Sequence, residues 1–347
     1  MMHTTQIKPS PLSRILCAAI FTTTMLLSSC RSSSEVHLFL SEPFPKKLSA
    51  WHLYTETRNG LKPNNRVLPY SFRTPLFSDY ARKYRFVWMP EGTSAEYRED
   101  SVFQLPVGTI LSKSFAFPSG DAEKIVETRL LVHTQSGWAA LPYIWNDSQT
   151  EATLQLVPDP VPIKWSDAKG LHEFAYQIPN VNECKECHDN NRTLLPIGPK
   201  ARNLGKEQVA RWTEVGYLRN APKEFSEVAV WNKPETGSLE ERALAYLDNN
   251  CAHCHQPGGT AGYTGVDFRY GHSQPGYCKH PNSAGNMHDL QFDIVPGDPE
   301  SSILVYRLSS TMPKVMMPQI GRSTVHAEGV ALTRDWISSL TARSCSR

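Results

Sequence analysis

The chain has little net charge, and after its first thirty residues it has no apolar run long enough to cross a bilayer. Its 36 lysines and arginines nearly balance 34 aspartates and glutamates, which gives a formal net charge of +2. Nucleic-acid binding depends on a strongly positive surface, and a membrane-spanning helix needs about 20 apolar residues. The composition therefore gives no reason to expect nucleic acid as a partner, or a spanning segment beyond the first thirty residues.

Residues 45–180 have hardly any helical periodicity, and no Ser, His and Asp grouping there has the context of a catalytic motif. This region instead contains short runs rich in aromatic and β-branched residues, separated by turn sequences. The runs predict strands over 83–88, 109–117, 125–133, 138–145 and 152–157. We therefore predict a β-sandwich-like domain, or a related barrel, over residues 45–180.

The most specific pattern is Cys-x-x-Cys-His, which occurs twice. Its members are Cys184, Cys187, His188, Cys251, Cys254 and His255. This is the attachment signature of c-type haem, in which two thiols bind one porphyrin and the histidine ligates its iron. Zinc ribbons and thioredoxin-like redox pairs also use Cys-x-x-Cys, but neither needs a histidine after both copies. We therefore predict two covalent haem c groups, with His188 and His255 as metal ligands.

A sixth ligand decides whether a haem iron only passes electrons or also binds a small molecule. The sequence Met317-Pro318 lies just before the last predicted helix, where class I cytochromes c carry their methionine ligand. It predicts Met317 as the distal ligand of the second haem. Met312 is the rival candidate, and an ordinary core methionine is the structural alternative.

The first haem is less completely specified. Pro199 follows Gly198 eleven residues after His188, and this resembles the Gly-Pro of cytochromes c whose proline carbonyl accepts the proton of the proximal imidazole. Five residues remain candidates for its sixth ligand, and each has a structural role as the alternative: Met89, His172, His280, Met287 and His288. An open site, with no sixth ligand, is the further alternative.

From residue 180 the pattern changes to helices and loops. Helical spacing predicts helices over 206–218, 238–249, 299–308 and 328–340, and Ser238 with Glu241 forms a capping box. We assign 181–235 to a first haem-binding segment and 236–345 to a second, cytochrome c-like haem domain. The predicted fold class is thus α+β and multidomain, with the β-sandwich-like domain followed by a mainly α-helical dihaem region.

The first residues resemble a bacterial lipoprotein signal. A basic segment precedes the apolar run 15–27, which ends in Leu-Ser-Ser-Cys at Cys30. We expect removal of 1–29, lipidation of Cys30 and a tether over 30–44; an ordinary signal peptide is the alternative. Arg31, in place of an aspartate, favours the outer membrane by resemblance. In the oxidising periplasm, Cys278 and Cys345 are expected to pair as a disulfide.

Four further segments identify a resemblance: 74–80 (TPLFSDY), 141–146 (LPYIWN), 196–204 (PIGPKARNL) and 247–255 (LDNNCAHCH). With the two haem motifs, they resemble an uncharacterised family of bacterial dihaem c-type cytochromes, over most of the chain beyond residue 30. The resemblance implies haem binding and electron transfer with redox protein partners, and supplies no small-molecule substrate. An electron carrier is therefore predicted, and no catalytic residue is assigned. The alternative is a dihaem peroxidase-like enzyme with an open first haem.

Overall fold

A computed structural model describes residues 1, 35–57, 60–167, 170–282, 289–342 and 344–345. The predicted signal peptide, Cys30 and Arg31 lie outside the described residues, as do Met287 and His288. None of the described helices has the length and apolar content that crossing a membrane requires.

The strands come mostly before residue 180. In chain order they are β1 (Tyr54–Glu56), β2 (Lys62–Pro63), β3 (Leu68–Tyr70), β4 (Arg82–Trp88), β5 (Ala95–Glu96), β6 (Ile110–Ser119), β7 (Ala122–Thr134), β8 (Gly137–Trp145), β9 (Ala152–Leu154), β10 (Val161–Asp167), β11 (Gly170–Tyr176), β12 (Asp189–Asn190), β13 (Thr193–Leu194) and β14 (Leu218–Arg219). Six of them form one antiparallel sheet in the order β3–β4–β6–β7–β8–β9. Gly120 and Gly137 have positive φ in the two hairpin turns of this sheet, a conformation that glycine adopts without steric cost.

The helices come after residue 180. They are α1 (Val181–His188), α2 (Ala201–Leu204), α3 (Lys206–Glu214), α4 (Leu239–Asn250), α5 (Ile303–Ser309) and α6 (Ala327–Ser339), with short 3₁₀ helices at Leu48–Trp51, Pro234–Thr236 and Gly262–Thr264. A core of α4 and α6 packs around the fully buried Trp336. This core lies beside the second cysteine motif, which follows α4 directly.

The two faces of the six-stranded sheet differ. Alternate residues of the long strands, including Phe86 and Leu130, pack on one face against Trp51. The other face carries two separate apolar clusters, one around Trp212 of α3 and one where Phe117 meets the β10–β11 hairpin. Helix α1, which bears the first cysteine motif, packs against β8 of the same sheet.

The predicted fold class is wrong in two respects. The described part of the chain is only 21 % helical and 27 % strand, so the second half is not a mainly α-helical cytochrome-like region. Between the second motif and α5 the described residues form turns and one short 3₁₀ helix, because repeated glycines and prolines over 257–299 interrupt helices. The first half contains one large antiparallel sheet and two-stranded pairs where a sandwich was expected.

The three predicted segments 45–180, 181–235 and 236–345 lie within one compact unit, Val36–Arg347. Asp79, which follows β3, accepts hydrogen bonds from the backbone N–H groups of Ser323 at 2.7 Å and Thr324 at 2.7 Å. The N-terminal sheet region is therefore tied to the segment before the last helix. The boundaries at 180 and 235 stay a prediction.

Cys278 and Cys345 form a disulfide, as the sequence suggested. Their Cα atoms are 5.1 Å apart and they are separated by 67 residues. The bond closes a long loop that contains α5 and α6. Cys184, Cys187, Cys251 and Cys254 are free thiols.

Candidate functional site

The first motif lies on helix α1, whose start is fixed by a capping box. The Asn180 side chain accepts from the N–H groups of Asn182 and Glu183, and the Glu183 carboxylate accepts from the N–H of Asn180 at 2.8 Å. Spacings of three and four residues bring Cys184, Cys187 and His188 to one side of the helix. Our sequence analysis did not predict this helix, although Asn-x-x-Glu before the motif is a recognisable start.

The second motif lies at the end of helix α4. Ser238 and Glu241 form the predicted capping box at the start of this helix, and that prediction is confirmed. After Asn250 the chain turns, and the N–H groups of Cys254 and His255 both donate to the Cys251 carbonyl, at 3.2 and 2.9 Å. These bonds fold the motif into a tight turn that holds the two thiols and the imidazole together.

The two motifs meet in space. Ligand atoms of Cys187, His253 and Cys254 lie within 4.8 Å of one another. The hydroxyl of Thr260 donates to the Glu186 carbonyl at 2.8 Å, and the Cys254 thiol approaches the same carbonyl at 3.2 Å. These contacts join the two motifs through one carbonyl group.

This cluster does not have the composition of a zinc ribbon. A ribbon uses both cysteines of each Cys-x-x-Cys pair, and four ligands in all, around one ion. Among the described residues the cluster has three members, and it contains neither Cys184 nor Cys251. Each thiol pair is divided, which separates this arrangement from a closed structural zinc site.

Both motif histidines have a fixed tautomer. The Nδ1 atom of His188 lies 2.8 Å from the Leu195 carbonyl, which can only accept, so Nδ1 carries the proton. The Thr264 hydroxyl donates to the Ala261 carbonyl at 2.7 Å and therefore accepts from Nδ1 of His255 at 3.2 Å. In each ring Nε2 is left as an unprotonated nitrogen, which is the atom that binds iron.

Burial sets the protonation of these groups. It lowers the pKa of His188 to about 4 and the pKa of His255 to about 4, so both imidazoles are neutral at neutral pH. It also raises the pKa of Cys251 to about 12. The Cys187 thiol donates to the Cys254 sulfur, which raises the pKa of Cys187 and lowers the pKa of Cys254. Neutral imidazole is the form that ligates a metal.

A cavity opens beside the second motif. Cys251, Cys254 and His255 line it together with Met317. The remaining wall is largely apolar and includes Val266, Phe268, Ile303, Leu304 and Leu308. Met312, the rival candidate, is 60 % exposed and does not line the cavity. The structure thus brings Met317 into one cavity with the second motif.

Arg322 holds the loop that carries Met317. Its buried guanidinium donates to the Met317 carbonyl at 3.1 Å, to the Thr324 carbonyl at 2.9 Å and to the Ser310 carbonyl at 2.7 Å. Further contacts reach the carbonyls of Arg307 and Leu308. The planar five-donor guanidinium suits this task because it satisfies several carbonyl groups at once.

We expect Arg322→Lys to destabilise this loop. Lysine cannot supply the fork of donors, so at least two of these partly buried carbonyls lose their partner, and the free energy of unfolding should fall by about 2–3 kcal/mol. Denaturant unfolding measures the change. Arg211→Lys is the matched control, since the Arg211 side chain is 60 % exposed and pairs with Glu214 on the same helix. Equal stability of the two variants would contradict the role given to Arg322.

Another cavity, which we call the first-motif cavity, lies between α1, the sheet and the segment after β13. Cys184, Cys187 and His188 line it, with an apolar wall that includes Tyr70, Phe72, Leu111, Leu131 and Ile197. No methionine is among its described lining residues. His253 of the second motif also reaches it and is buried, and its Nδ1 has no hydrogen-bond partner in the described structure.

The described candidates for a sixth ligand of the first haem lie elsewhere. Met89 is fully buried in the apolar cluster around Trp212. His172 stacks on Trp165 at 4.4 Å, and His280 lies against Phe292. None of the three lines the first-motif cavity. The structure does not bring them to His188.

Pro199 does not face the first imidazole. Its carbonyl accepts from the Phe103 N–H at 3.1 Å, while the Leu195 carbonyl takes the His188 proton. A proximal acceptor is therefore present, four residues earlier than the sequence suggested. A backbone carbonyl can come from any residue, so no side-chain pattern identifies this partner.

Three inward-facing cations were missed by the sequence analysis. Arg85, Lys113 and Arg129 line the first-motif cavity from strands β4, β6 and β7. Charged residues at the inward positions of otherwise apolar strands are the pattern that would have found them.

The donor set fits covalent haem. Each cavity combines a Cys-x-x-Cys pair, a histidine with an unprotonated Nε2 and a partly apolar wall. The cavity beside the second motif also contains the thioether sulfur of Met317. Comparison of the chain with family models, curated proteins and solved structures finds no match. The case for a function therefore depends on these residues.

Proposed function

We propose that the chain is a c-type cytochrome that carries two covalent haem groups and transfers electrons between redox protein partners. The observation that carries this proposal is the pair of Cys-x-x-Cys-His motifs, each with both thiols and its histidine lining a cavity and with that histidine fixed as the Nδ1–H tautomer. Haem, when bound, supplies a one-electron redox centre.

The chain has three tasks in this proposal. Cys184, Cys187, Cys251 and Cys254 would attach the groups, and His188 and His255 would offer Nε2 to the iron. Met317, which lines the cavity of the second motif, would offer its sulfur. The carbonyl of Leu195 and the hydroxyl of Thr264 fix the ring orientations and raise ligand basicity. The apolar parts of the cavity walls would reduce the contact of each group with water and so influence its reduction potential.

The contact between the motifs supports transfer within the protein. Because Cys187 and Cys254 lie within 4.8 Å of one another, the two attachment points are neighbours. Haem groups attached at these thiols would therefore lie near each other, which would favour electron exchange between them. The proposal includes export to the periplasm, because c-type haem is attached outside the cytoplasm. It also includes a lipid anchor at Cys30 that holds the protein at the outer membrane.

The first-motif cavity favours one second candidate. It contains no methionine among its described lining residues, so a haem-dependent oxidoreductase that binds peroxide at an open first haem is the alternative. No described residue is assigned there as a catalytic acid or base.

Carbon monoxide separates the two candidates. If the protein is an electron carrier, we expect the haem-loaded form to be reduced and reoxidised reversibly and to consume no peroxide. In the reduced form, the second haem should not bind carbon monoxide. Optical titration counts the haems that bind carbon monoxide. Binding at one haem together with peroxide consumption would favour the oxidoreductase. A protein without covalent haem would contradict both.

A further inference from the structure

Three cations form a row across the sheet. In the antiparallel register Arg85 of β4 lies directly opposite Lys113 of β6, and Lys113 lies directly opposite Arg129 of β7. All three line the same cavity as Cys184 and His188. We call Arg85, Lys113 and Arg129 the cationic row.

The cationic row is enclosed by aromatic rings. Arg85 is 5 % exposed, and its guanidinium lies 4.9 Å from the centre of the Phe72 ring. The Lys113 ammonium lies 4.7 Å from the centre of the Phe115 ring. Aromatic faces attract cations weakly compared with a carboxylate, so these contacts only partly offset the loss of water.

Among the described residues, Glu127 is the carboxylate that hydrogen-bonds to the row, while Glu183, which also lines the cavity, accepts from the backbone N–H of Asn180. Arg129 binds Glu127 through two hydrogen bonds, at 2.7 and 2.5 Å, and Tyr176 occupies the same carboxylate. In the described parts of the chain, neither Arg85 nor Lys113 forms an ion pair. The three cations of the row and Glu127 carry a net charge of +2, and the other two charged residues described in the cavity wall, Lys200 and Glu183, cancel each other.

Such an arrangement is unfavourable unless an anion binds it. Like charges directly opposite each other destabilise a sheet, and buried charges are normally paired. Burial lowers the pKa of both Lys113 and Arg85, so it disfavours the charged form of each side chain. A dianion within reach of the row would compensate this charge.

We propose that the cationic row is a binding site for a dianionic carboxylate or oxyanion group, and that in the loaded protein this group is the propionate pair of the haem attached at Cys184 and Cys187. The assignment rests on the proposed function. Two propionates carry the charge of −2 that the row lacks, and arginine binds carboxylates through paired hydrogen bonds.

Reduction potentials test the propionate assignment. In haem-loaded Arg85→Gln and Lys113→Gln proteins, loss of a nearby cation should favour ferric iron, so the midpoint potential of one haem should fall while the other stays unchanged. Spectroelectrochemical titration measures both. Lys124→Gln is the matched control, because Lys124 lies on the same strand as Arg129 but is exposed and pairs with Asp147. Arg85→Lys, which keeps the charge, should restore most of the potential if Arg85→Gln folds poorly.

Sulfate binding separates the two sources of the anion. With propionates in place, calorimetry should show no saturable sulfate binding to the haem-loaded protein. Saturable sulfate binding would instead support the site with a free oxyanion as its ligand. Its affinity should then fall about tenfold or more in both Gln variants, because each variant loses one charge-assisted hydrogen bond. Unchanged potentials together with no sulfate binding would overturn the proposal. Haem content is measured separately. A protein without haem would contradict the proposed function but not the anion site, because sulfate binding would still test the cationic row.

Discussion

Replacing both thiols of the first motif, Cys184→Ala with Cys187→Ala, is expected to remove one covalent haem and leave the other. The loss should be complete for that haem, because no thiol remains to form a thioether. The reciprocal pair, Cys251→Ala with Cys254→Ala, should remove the other. The measurement is covalent haem per protein after acid denaturation, which we expect to fall from two to one in each double variant.

Spectra distinguish the two double variants from each other. The variant without Cys184 and Cys187 should keep the spectrum of a methionine-ligated haem. The variant without Cys251 and Cys254 should lose that spectrum. Lys185→Ala is the control, because Lys185 is an exposed residue inside the first motif and its removal keeps both thiols and the histidine. Unchanged haem content in both double variants would contradict the attachment of haem at these motifs.

Met317→Ala is expected to lower the reduction potential of one haem and to open that haem to carbon monoxide. Thioether ligation raises haem potentials, and axial ligands set them over a range of roughly 0.8 V. Loss of the sulfur should therefore shift the potential by a substantial fraction of that range. The change is measured by redox titration, and the open position by carbon monoxide binding.

Met312→Ala provides the matched control for this experiment. Met312 belongs to the same loop but is 60 % exposed and does not line the cavity. Its replacement should leave both potentials and the carbon monoxide count unchanged. A shift in Met312→Ala with none in Met317→Ala would transfer the ligand role to Met312.

The long strands were predictable because their side chains alternate. The runs predicted over 83–88, 109–117, 125–133 and 138–145 correspond to β4, β6, β7 and β8, and no end differs from its prediction by more than three residues. What the sequence could not show is which layer covers the sheet. Its second face is covered by α3 and the β10–β11 hairpin, through contacts distant in sequence.

The helices were predictable where caps and periodicity agree. Helix α4 begins after Ser238 as expected, and α6 lies within one residue of its predicted ends. The segment predicted over 299–308 becomes helical only at Ile303, because Ser302 and the residues before it form a turn stabilised by Asp298. The connection between α4 and α5 is long and rich in glycine. The second half of the chain is therefore less helical than the resemblance to cytochromes implied.

The candidate site was predictable in its residues and not in its arrangement. The cysteines and histidines follow from one five-residue pattern, because attachment chemistry fixes their spacing. The contact between Cys187 and Cys254, the Leu195 carbonyl at His188 and the cationic row all depend on tertiary packing. Sequence spacing carries no information on such contacts.

The central claim is that the two motifs hold two covalent haems, and intact-mass spectrometry of the acid-denatured protein tests it most directly. We predict a mass equal to the polypeptide plus two haems, because thioether bonds survive denaturation. A mass equal to the polypeptide alone, from cells that attach c-type haem to other proteins, would contradict the claim.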